Sequence, residues 1–230
     1  LRAQIVYGQP ASGDLQLTYY SWTVTQDETE RTISQLAFPL SGFVPAGDNF
    51  DITFYAANAS TTLDVDDGEQ SLSGLSDVRV QANRAFADDQ LLLSAGLNLP
   101  TGKTALDLEE EYFVLQALSQ NYLEFPVRRY GEGFGFNVLL AGATVLGEKV
   151  RGGAGVMYQY IGSYEPYDGF DDYNPGDVFS VNAGVDIDSE PLIWTFDAVY
   201  SVFTTDQLDG FKTFKQSPQF GIRVSTRYQG

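Results

Sequence analysis

The feature that most constrains the fold lies in residues 131–164, where two apolar runs flank a short turn at 147–149. Every second residue from Phe134 onward is large or apolar, and the alternation resumes at Val150 after the turn. Because successive side chains of a strand point to opposite faces, this period of two predicts a hairpin. Each run is about a dozen residues long, and a tilted strand of roughly 9–11 residues crosses a bilayer. The stretch therefore predicts part of a transmembrane β-barrel.

Bulk composition is compatible with that prediction. The hydrophobic fraction is 43%, the aromatic fraction is 14% and the mean hydropathy is −0.17. The sequence contains no apolar run long enough for a transmembrane helix, so a barrel is the remaining way to span a membrane. Cysteine and histidine are absent, which excludes a disulfide scaffold and thiolate metal sites. The net charge of −18 argues against nucleic acid as a partner.

The same alternation recurs along the chain and predicts about ten strands. Besides the organising hairpin, the predicted strands are 14–25, 31–40, 49–58, 75–86, 90–99, 177–188, 192–202 and 216–228. The predicted fold class is all-β, an antiparallel up-and-down transmembrane β-barrel forming a single domain over residues 1–230. Residues 1–12 are interpreted as an N-terminal tail or plug segment.

The predicted connections alternate in length. The short ones are 41–48, 87–89, 147–149 and 188–191, and the other set is 59–73, 100–130, 165–176 and 203–215 with the brief turn 26–30. Outer-membrane barrels have short periplasmic turns and longer outer loops, so we predict that the second set faces outward.

Aromatic residues at the strand ends favour a lipid-facing surface. Threading the strands up and down sorts them toward two rims, as the girdles of a membrane barrel require. The predicted girdle is Phe134, Phe136, Tyr158, Tyr160, Phe179, Trp194, Tyr200 and Tyr228. A soluble β-sandwich or a lipocalin-like barrel is the alternative, but neither needs its aromatics sorted by height.

The opposite strand faces carry charged and amide side chains. We predict that they line the lumen: Arg79, Gln81, Asn83, Arg151, Gln159, Asp197, Arg223 and Arg227. They would form a charged constriction that sets solute selectivity. Structural ion pairing that fills a narrow lumen is the alternative, and it is favoured because a barrel of about ten strands has little internal room.

A helix is predicted at 105–122 within the long loop 100–131. Thr104 is its candidate N-cap, acidic residues follow in the first turn, and Pro126 stops the run. The apolar stripe at helical spacing consists of Leu108, Tyr112, Leu115 and Leu118. We expect this helix to cap the barrel mouth with its apolar stripe inward and so to gate access; a plug or partner-binding element is the alternative.

No motif indicates catalysis or a bound ion. A Ser-His-Asp triad is excluded without histidine, and no acidic pair stands out as a glycosidase pair. The acidic run 64–69 and the acids at 168, 171, 172 and 177 lack the spacing of a calcium loop and are interpreted as solvated. The chain is predicted not to be an enzyme and to hold no metal or cofactor.

Three stretches resemble the outer-membrane channel family named for the MetA pathway of phenol degradation. They are GLSDVRVQANRAF at 74–86, LLLSAGLNLPTGK at 91–103 and the hairpin GEGFGFNVLLAG…YQYIGSY. The resemblance implies an outer-membrane barrel of a Gram-negative-type bacterium that passes small, often hydrophobic compounds. Such barrels usually end on an aromatic residue, whereas this sequence ends Tyr228-Gln229-Gly230. A barrel of twelve strands, with a further hairpin, is therefore the alternative.

Three functions remain open at this point, of which the third is a soluble β-sandwich binding module. The first is a barrel that admits small, possibly hydrophobic solutes through a narrow, loop-gated, charged lumen. The second is a non-conducting barrel that acts as a structural or interaction subunit of a larger surface assembly. The expected partners are membrane lipid, small solutes and other outer-membrane proteins.

Overall fold

The computed structural model describes residues 10–26, 29–65, 68–119, 123–170 and 172–228. Within these ranges it contains fifteen strands and one helix, and the predicted all-β antiparallel architecture is confirmed. The elements are β1 Ser12–Leu15, β2 Thr18–Gln26, β3 Thr29–Pro45, β4 Phe50–Val65, β5 Gly68–Leu75, β6 Val78–Phe86, β7 Leu91–Leu99, α1 Glu111–Leu118, β8 Gly135–Gly147, β9 Val150–Ile161, β10 Tyr173–Asn174, β11 Val178–Ser189, β12 Leu192–Phe203, β13 Thr205–Leu208, β14 Phe211–Lys215 and β15 Gln219–Tyr228.

The main sheet has twelve strands, and its principal path runs β1-β3-β4-β6-β7-β8-β9-β11-β12-β15. β1 and β2 pair with successive parts of β3, and β5 and β6 pair with successive parts of β4. The prediction of about ten strands is wrong as a count. In the main sheet, two residues separate β1 from β2 and two residues separate β5 from β6, which adds two strands. A separate sheet of β10, β13 and β14 supplies the other three strands.

The sheet is not closed within the described residues. There β15 pairs with β12, and β2 pairs with β3, but neither pairs with the other. Among the described residues, the predicted closed barrel is therefore observed as a long antiparallel sheet whose two edges are unpaired. The predicted tail or plug at 1–12 lies outside the described residues up to position 9.

Three predicted loops contain strands. Most of 59–73 is a hairpin, because β4 continues to Val65 and β5 starts at Gly68. Threonine supports extended structure there, and the acidic residues that indicated a loop cluster near the tip of the hairpin. The outer segments 165–176 and 203–215 likewise carry β10, β13 and β14.

The helix is shorter than predicted and begins later. α1 covers Glu111–Leu118, and Thr104 does not cap it; the predicted end at Tyr122 lies outside the described residues. Asp107 organises the entry instead, since its Oδ1 accepts hydrogen bonds from the backbone N–H groups of Glu109 and Glu110, each at 2.9 Å. An Asx-type turn at this point precedes the helix, which starts at Glu111 and not at residue 105.

The buried core lies between one face of the β3–β5 sheet and the 100–131 loop. Its members are Ile33, Ala37, Ala57, Ala59, Leu72, Leu106, Val114, Leu118, Leu123, Phe125, Val127 and Tyr130. Elsewhere most large apolar side chains are exposed. A soluble sandwich would bury such rows between two sheets, so their exposure is typical of a surface covered by lipid. In the described part of the chain, no helix has the length and apolar character needed to cross a membrane.

Candidate functional site: the cavity beneath the folded loop

Strand register assigns the predicted side chains to two faces. Thr61 and Tyr55 share one face of β4, and they pair with Gln35 of β3 and Arg79 of β6 respectively. We call this the polar face. Following the register across the sheet places all eight predicted lumen residues on it: Arg79, Gln81, Asn83, Arg151, Gln159, Asp197, Arg223 and Arg227. Their lumen role stays a prediction.

The predicted girdle residues follow the opposite register, which we call the apolar face. Within the strands these are Phe136, Tyr158, Tyr160, Phe179, Trp194, Tyr200 and Tyr228, and Phe134 immediately precedes β8. The rings of Phe136 and Tyr160 stack with centroids 5.2 Å apart. This cross-strand aromatic cluster lies at the long-loop end of the β8–β9 hairpin, where a girdle is expected.

The 100–131 loop folds onto the polar face. Gln35 is fully buried and pairs with Val127 of the loop through both atoms of its side-chain amide. Its Nε2 also donates to Thr61 Oγ1 at 2.9 Å. A buried amide that satisfies both its donor and its acceptor functions fixes one geometry, because any displacement leaves polar groups unpaired.

Tyr130 makes a second anchor. Its hydroxyl is 2.9 Å from Thr61 Oγ1 and donates to the Leu72 carbonyl at 3.1 Å. Burial raises the pKa of the Tyr130 phenol to about 12, because the charged phenolate would be desolvated. The tyrosine is therefore neutral and can serve as a hydrogen-bond donor at physiological pH.

Asp77 holds both ends of the loop. Its Oδ1 accepts from the backbone N–H of Gly102 at 2.9 Å, and its Oδ2 accepts from the backbone N–H of Glu132 at 2.8 Å. Asn98 Nδ2 donates to the same Oδ2 at 2.7 Å and to the Gly133 carbonyl at 2.6 Å. A carboxylate can accept several such donors without a cationic partner. Asp77 is thus a structural clamp on the base of the loop.

The turn at Pro100–Lys103 requires glycine at position 102, because the backbone there lies very close to Tyr130 and Asp77. A Cβ atom at Gly102 would lie 2.0 Å from the Tyr130 carbonyl oxygen and 2.8 Å from the Asp77 backbone nitrogen. Thr101 Oγ1 meanwhile accepts from the backbone N–H of Val78 at 2.9 Å. The sequence Leu-Pro-Thr-Gly-Lys therefore provides both a side-chain acceptor and the space in which the two ends of the loop meet.

A cavity of about 880 Å³ lies beside the folded loop. Its wall combines the polar face with the loop segment 126–132, and its charged side chains are Asp14, Asp77, Arg79, Arg128, Arg129 and Glu132. A second cavity of about 400 Å³ shares Arg128, Arg129 and Glu132 with the first. The segment 128–132 therefore separates two cavities and contributes charged groups to both.

We call the segment 128–132 the partition. Within it, Glu132 forms two ion pairs. Its Oε2 lies 3.5 Å from Arg79 Nη2, and its Oε1 contacts Arg129 Nη1. Arg79 comes from β6, whereas Arg129 belongs to the loop, so the carboxylate links the sheet to the partition. These contacts place one anionic group between two cationic groups at the boundary of the cavities.

The predicted lumen residues do not converge on one site. Arg79 and Gln81 line the larger cavity, while Asp197, Arg223 and Arg227 line a separate cavity of about 260 Å³. Arg223 Nη2 pairs with Asp197 Oδ2 at 2.9 Å. Asn83 Nδ2 donates to Asp51 Oδ1 at 2.7 Å. Such cross-strand pairing agrees with the alternative interpretation, in which part of the predicted lumen residues form structural pairs and do not set solute selectivity.

Arg151 and Gln159 line none of the cavities described above. Arg151 pairs in register with Asp186, and Gln159 pairs with Asn137 and Val178. These two residues lie on the polar face of β9.

The predicted gating residues have different environments. Leu118 is fully buried in the core and Leu115 packs against it, whereas Leu108 is exposed. The Tyr112 ring makes an edge contact with Tyr167 at a centroid distance of 5.1 Å. Leu115 and Leu118 therefore hold the helix against the sheet. Of the four predicted stripe residues, only these two face the core.

The acidic clusters do not form an ion site among the described residues. Positions 66, 67 and 171, which belonged to the weighed calcium-loop runs, lie outside those residues. Asp177 instead accepts from the Tyr158 hydroxyl at 2.8 Å. Asp206 accepts from the Tyr173 hydroxyl at 2.5 Å, and burial together with this carboxylate raises the pKa of Tyr173.

Sequence reasoning missed the residues that anchor the loop beside the cavity. Gln35, Thr61 and Tyr130 read as ordinary members of strands or loops, and the segment 128–132 carried no motif. Two residues could have been identified from the sequence. Asp77 lies in one of the stretches quoted above for their resemblance to a channel family, and Gln35 lies between buried apolar residues in its row of β3. A polar residue in an otherwise buried row indicates a specific hydrogen-bond partner.

No protein-family model matches the chain, and no curated protein matches it. Among solved structures, the fold is similar to that of an outer membrane channel from Pseudomonas putida F1, with a TM-score of 0.55 and 13% sequence identity. The match covers 98% of this chain and 85% of that chain. At this identity the likeness establishes the fold alone: an antiparallel sheet of the outer-membrane barrel type.

Proposed function

We propose that the chain is an outer-membrane β-barrel of a Gram-negative-type bacterium that admits small solutes, including hydrophobic ones. The observation that carries the proposal is the folded loop, which covers the polar face and leaves two cavities that share the segment 128–132 as a wall. In a closed barrel the polar face lines the lumen, and the loop then narrows the passage. The apolar face meets membrane lipid.

The fold of the neighbouring structure supports this proposal, since that protein is an outer membrane channel. The exposed apolar rows support it as well, because lipid contact accounts for them without a second sheet. The loop restricts access as a fixed element: its anchors Gln35 and Tyr130 are buried and fully hydrogen-bonded. The size of the passage is therefore set by side chains of the partition.

The absence of cysteine allows a direct test. We would introduce a single cysteine by Gln81→Cys in the larger cavity, reconstitute the protein in planar bilayers and add a membrane-impermeant thiosulfonate reagent. Modification should reduce the single-channel current, because the added group occupies the passage. The matched control is Leu140→Cys on the apolar face, which should leave the current unchanged. Equal effects at both positions would contradict the proposed path.

The alternative is a non-conducting barrel that acts as a structural or interaction subunit. The same buried anchors favour it, since a loop held by Gln35, Asp77 and Tyr130 can also close the barrel permanently. Purified protein that inserts in the bilayer, shows heat-modifiable gel mobility and carries no current would establish this alternative. Co-purification of a stoichiometric outer-membrane partner would then identify the assembly.

A further inference from the structure

The carboxylate of Glu132 lies between two guanidinium groups that come from different parts of the fold. Arg79 Nη2 approaches Glu132 Oε2 at 3.5 Å from β6, and Arg129 Nη1 contacts Glu132 Oε1 from the loop. All three residues line the larger cavity, and Arg129 and Glu132 also line the smaller one. A carboxylate at the boundary of both cavities is thus bound by two cationic groups.

The position of Arg79 does not depend on Glu132 alone. Arg79 Nε donates to Asn98 Oδ1 at 3.3 Å, and Asn98 Nδ2 is held by Asp77 Oδ2 at 2.7 Å. The backbone N–H of Glu132 is fixed by the other contact to Asp77 at 2.8 Å. Movement of the Glu132 side chain would therefore leave both the partition and the Arg79 guanidinium in place.

Both arginines are accessible from the cavities. The exposed fraction of the side chain is 60% for Arg79 and 69% for Arg129, but only 21% for Glu132. A guanidinium presents five N–H donors in a planar fork that matches a carboxylate. One internal carboxylate does not use all the donors of two such groups, so they can receive a second oxygen ligand.

Competing acids in the larger cavity are already engaged. Asp77 accepts three N–H donors, and Asp14 contacts the Gln16 side-chain amide. The protein as a whole carries a net charge of −18, which repels anions from its surface. A paired cationic site is needed to overcome that repulsion locally, and Arg79 with Arg129 supplies one.

We infer that Arg79 and Arg129 form a binding site for the carboxylate of a small organic anion, and that Glu132 occupies this site until such a solute displaces it. This inference rests on the proposed function, because it names a solute class for the same passage. The bound carboxylate would form charge-assisted hydrogen bonds to both guanidinium groups. Glu132 acts as an internal competitor that weakens binding and so permits release.

The test is equilibrium binding of benzoate to the detergent-solubilised full chain by isothermal titration calorimetry, with uncharged benzamide as the matched probe. Glu132→Gln removes the competitor but retains the backbone contact to Asp77, and it should tighten benzoate binding about tenfold. Arg79→Gln and Arg129→Gln should each weaken it by about tenfold or more. Arg223→Gln, in the separate cavity, should leave benzoate affinity unchanged.

Heat-modifiable gel mobility checks that each variant is folded. Benzamide binding equal to benzoate binding, or a Glu132→Gln variant with unchanged or weaker benzoate affinity, would overturn the inference. Because Glu132→Gln is predicted to gain affinity, misfolding cannot imitate the expected result. The titration requires no flux, so a silent barrel that binds benzoate refutes the channel proposal alone. A conducting barrel indifferent to benzoate refutes the carboxylate site alone.

Discussion

The side-chain amide of Gln35 pairs with the backbone of Val127 through two hydrogen bonds. Gln35 Nε2 donates to the Val127 carbonyl at 2.7 Å, and the Val127 N–H donates to Gln35 Oε1 at 3.0 Å. The residues are 92 positions apart in sequence. The amide thus substitutes for a neighbouring strand and satisfies a loop segment that lies over the sheet. This contact connects β3 to Val127, which immediately precedes the partition between the cavities.

Gln35→Leu is expected to loosen the partition. The substitution leaves the buried N–H and C=O of Val127 without partners, and each unsatisfied group costs about 1–3 kcal/mol. We expect faster hydrogen exchange at Val127 and new tryptic cleavage after Arg128 and Arg129. The control is Gln81→Leu, whose amide donates to Asn83 at an exposed position. Equal hydrogen-exchange protection of the Val127 amide in both variants would show that the Gln35–Val127 pair does not hold the loop.

Tyr130 makes the loop sensitive to alkaline pH. Its pKa is raised from 10.0 to about 12, so its stabilising contribution is complete below pH 10 and disappears as pH rises through about 12. A wild-type-minus-variant difference titration at 295 nm, with Tyr130→Phe, should show one phenol ionising near pH 12, accompanied by increased loop exchange. The control is the difference titration between the wild type and Tyr19→Phe, which alters an exposed tyrosine. This difference should not contain the transition near pH 12. A difference midpoint near pH 10 would contradict the burial argument.

The sequence was informative where contacts are local and repetitive. Alternation along β6–β9 predicted which side chains share a face, because a period of two is visible without knowing the partner strand. Polar contacts between distant segments leave no such periodicity. Gln35 with Val127 and Asp77 with Glu132 join segments that are 92 and 55 residues apart, so the cavity could not be assembled from sequence alone.

The errors at 59–73 and 105–122 have different causes. Acidic and hydroxyl residues in a sequence favour a solvated loop or a helix start, but strand pairing decides the first segment and a local side-chain turn at Asp107 decides the second. Thr61 is buried in β4 by the loop that packs on it, and Asp107 forms a turn where continuation of a helix was expected. Propensity is a weak indicator wherever a long-range partner is available.

Asp77→Asn tests whether one carboxylate clamps both ends of the loop. The amide keeps the size of the side chain but replaces an acceptor oxygen with an NH₂ group, which opposes an N–H donor at Gly102 or Glu132. The expected destabilisation of the loop is about 1–3 kcal/mol. It should appear as tryptic cleavage after Lys103 and Arg129. Asp51→Asn is the control, because Asp51 is also buried but accepts its hydrogen bond from Asn83, within the sheet; similar cleavage in that variant would argue against a specific clamp.

Gly102→Ala is expected to impair assembly. The added methyl group would collide with the Tyr130 carbonyl oxygen at 2.0 Å, and neither backbone can yield without breaking the contact to Asp77. We expect a smaller heat-modifiable fraction after refolding. Gly147→Ala, where a new Cβ meets nothing within 4 Å, should refold as the wild type does. Normal refolding of both variants would show that the close approach at residue 102 is not required.

Leu139 and Leu140 provide the sharpest test of which face meets lipid. They are identical neighbours in β8, but the register places Leu139 on the polar face, opposite Ser94 and Met157, and Leu140 on the apolar face. Half of the Leu140 surface is exposed. An arginine facing lipid near the bilayer midplane costs about 2–4 kcal/mol. Leu140→Arg should therefore lower the folding stability in phospholipid vesicles by that amount, measured by urea titration, and Leu139→Arg should have a much smaller effect. The reverse order would mean that the polar face is the one in contact with acyl chains, and the cavities beneath the loop would then lie outside any barrel.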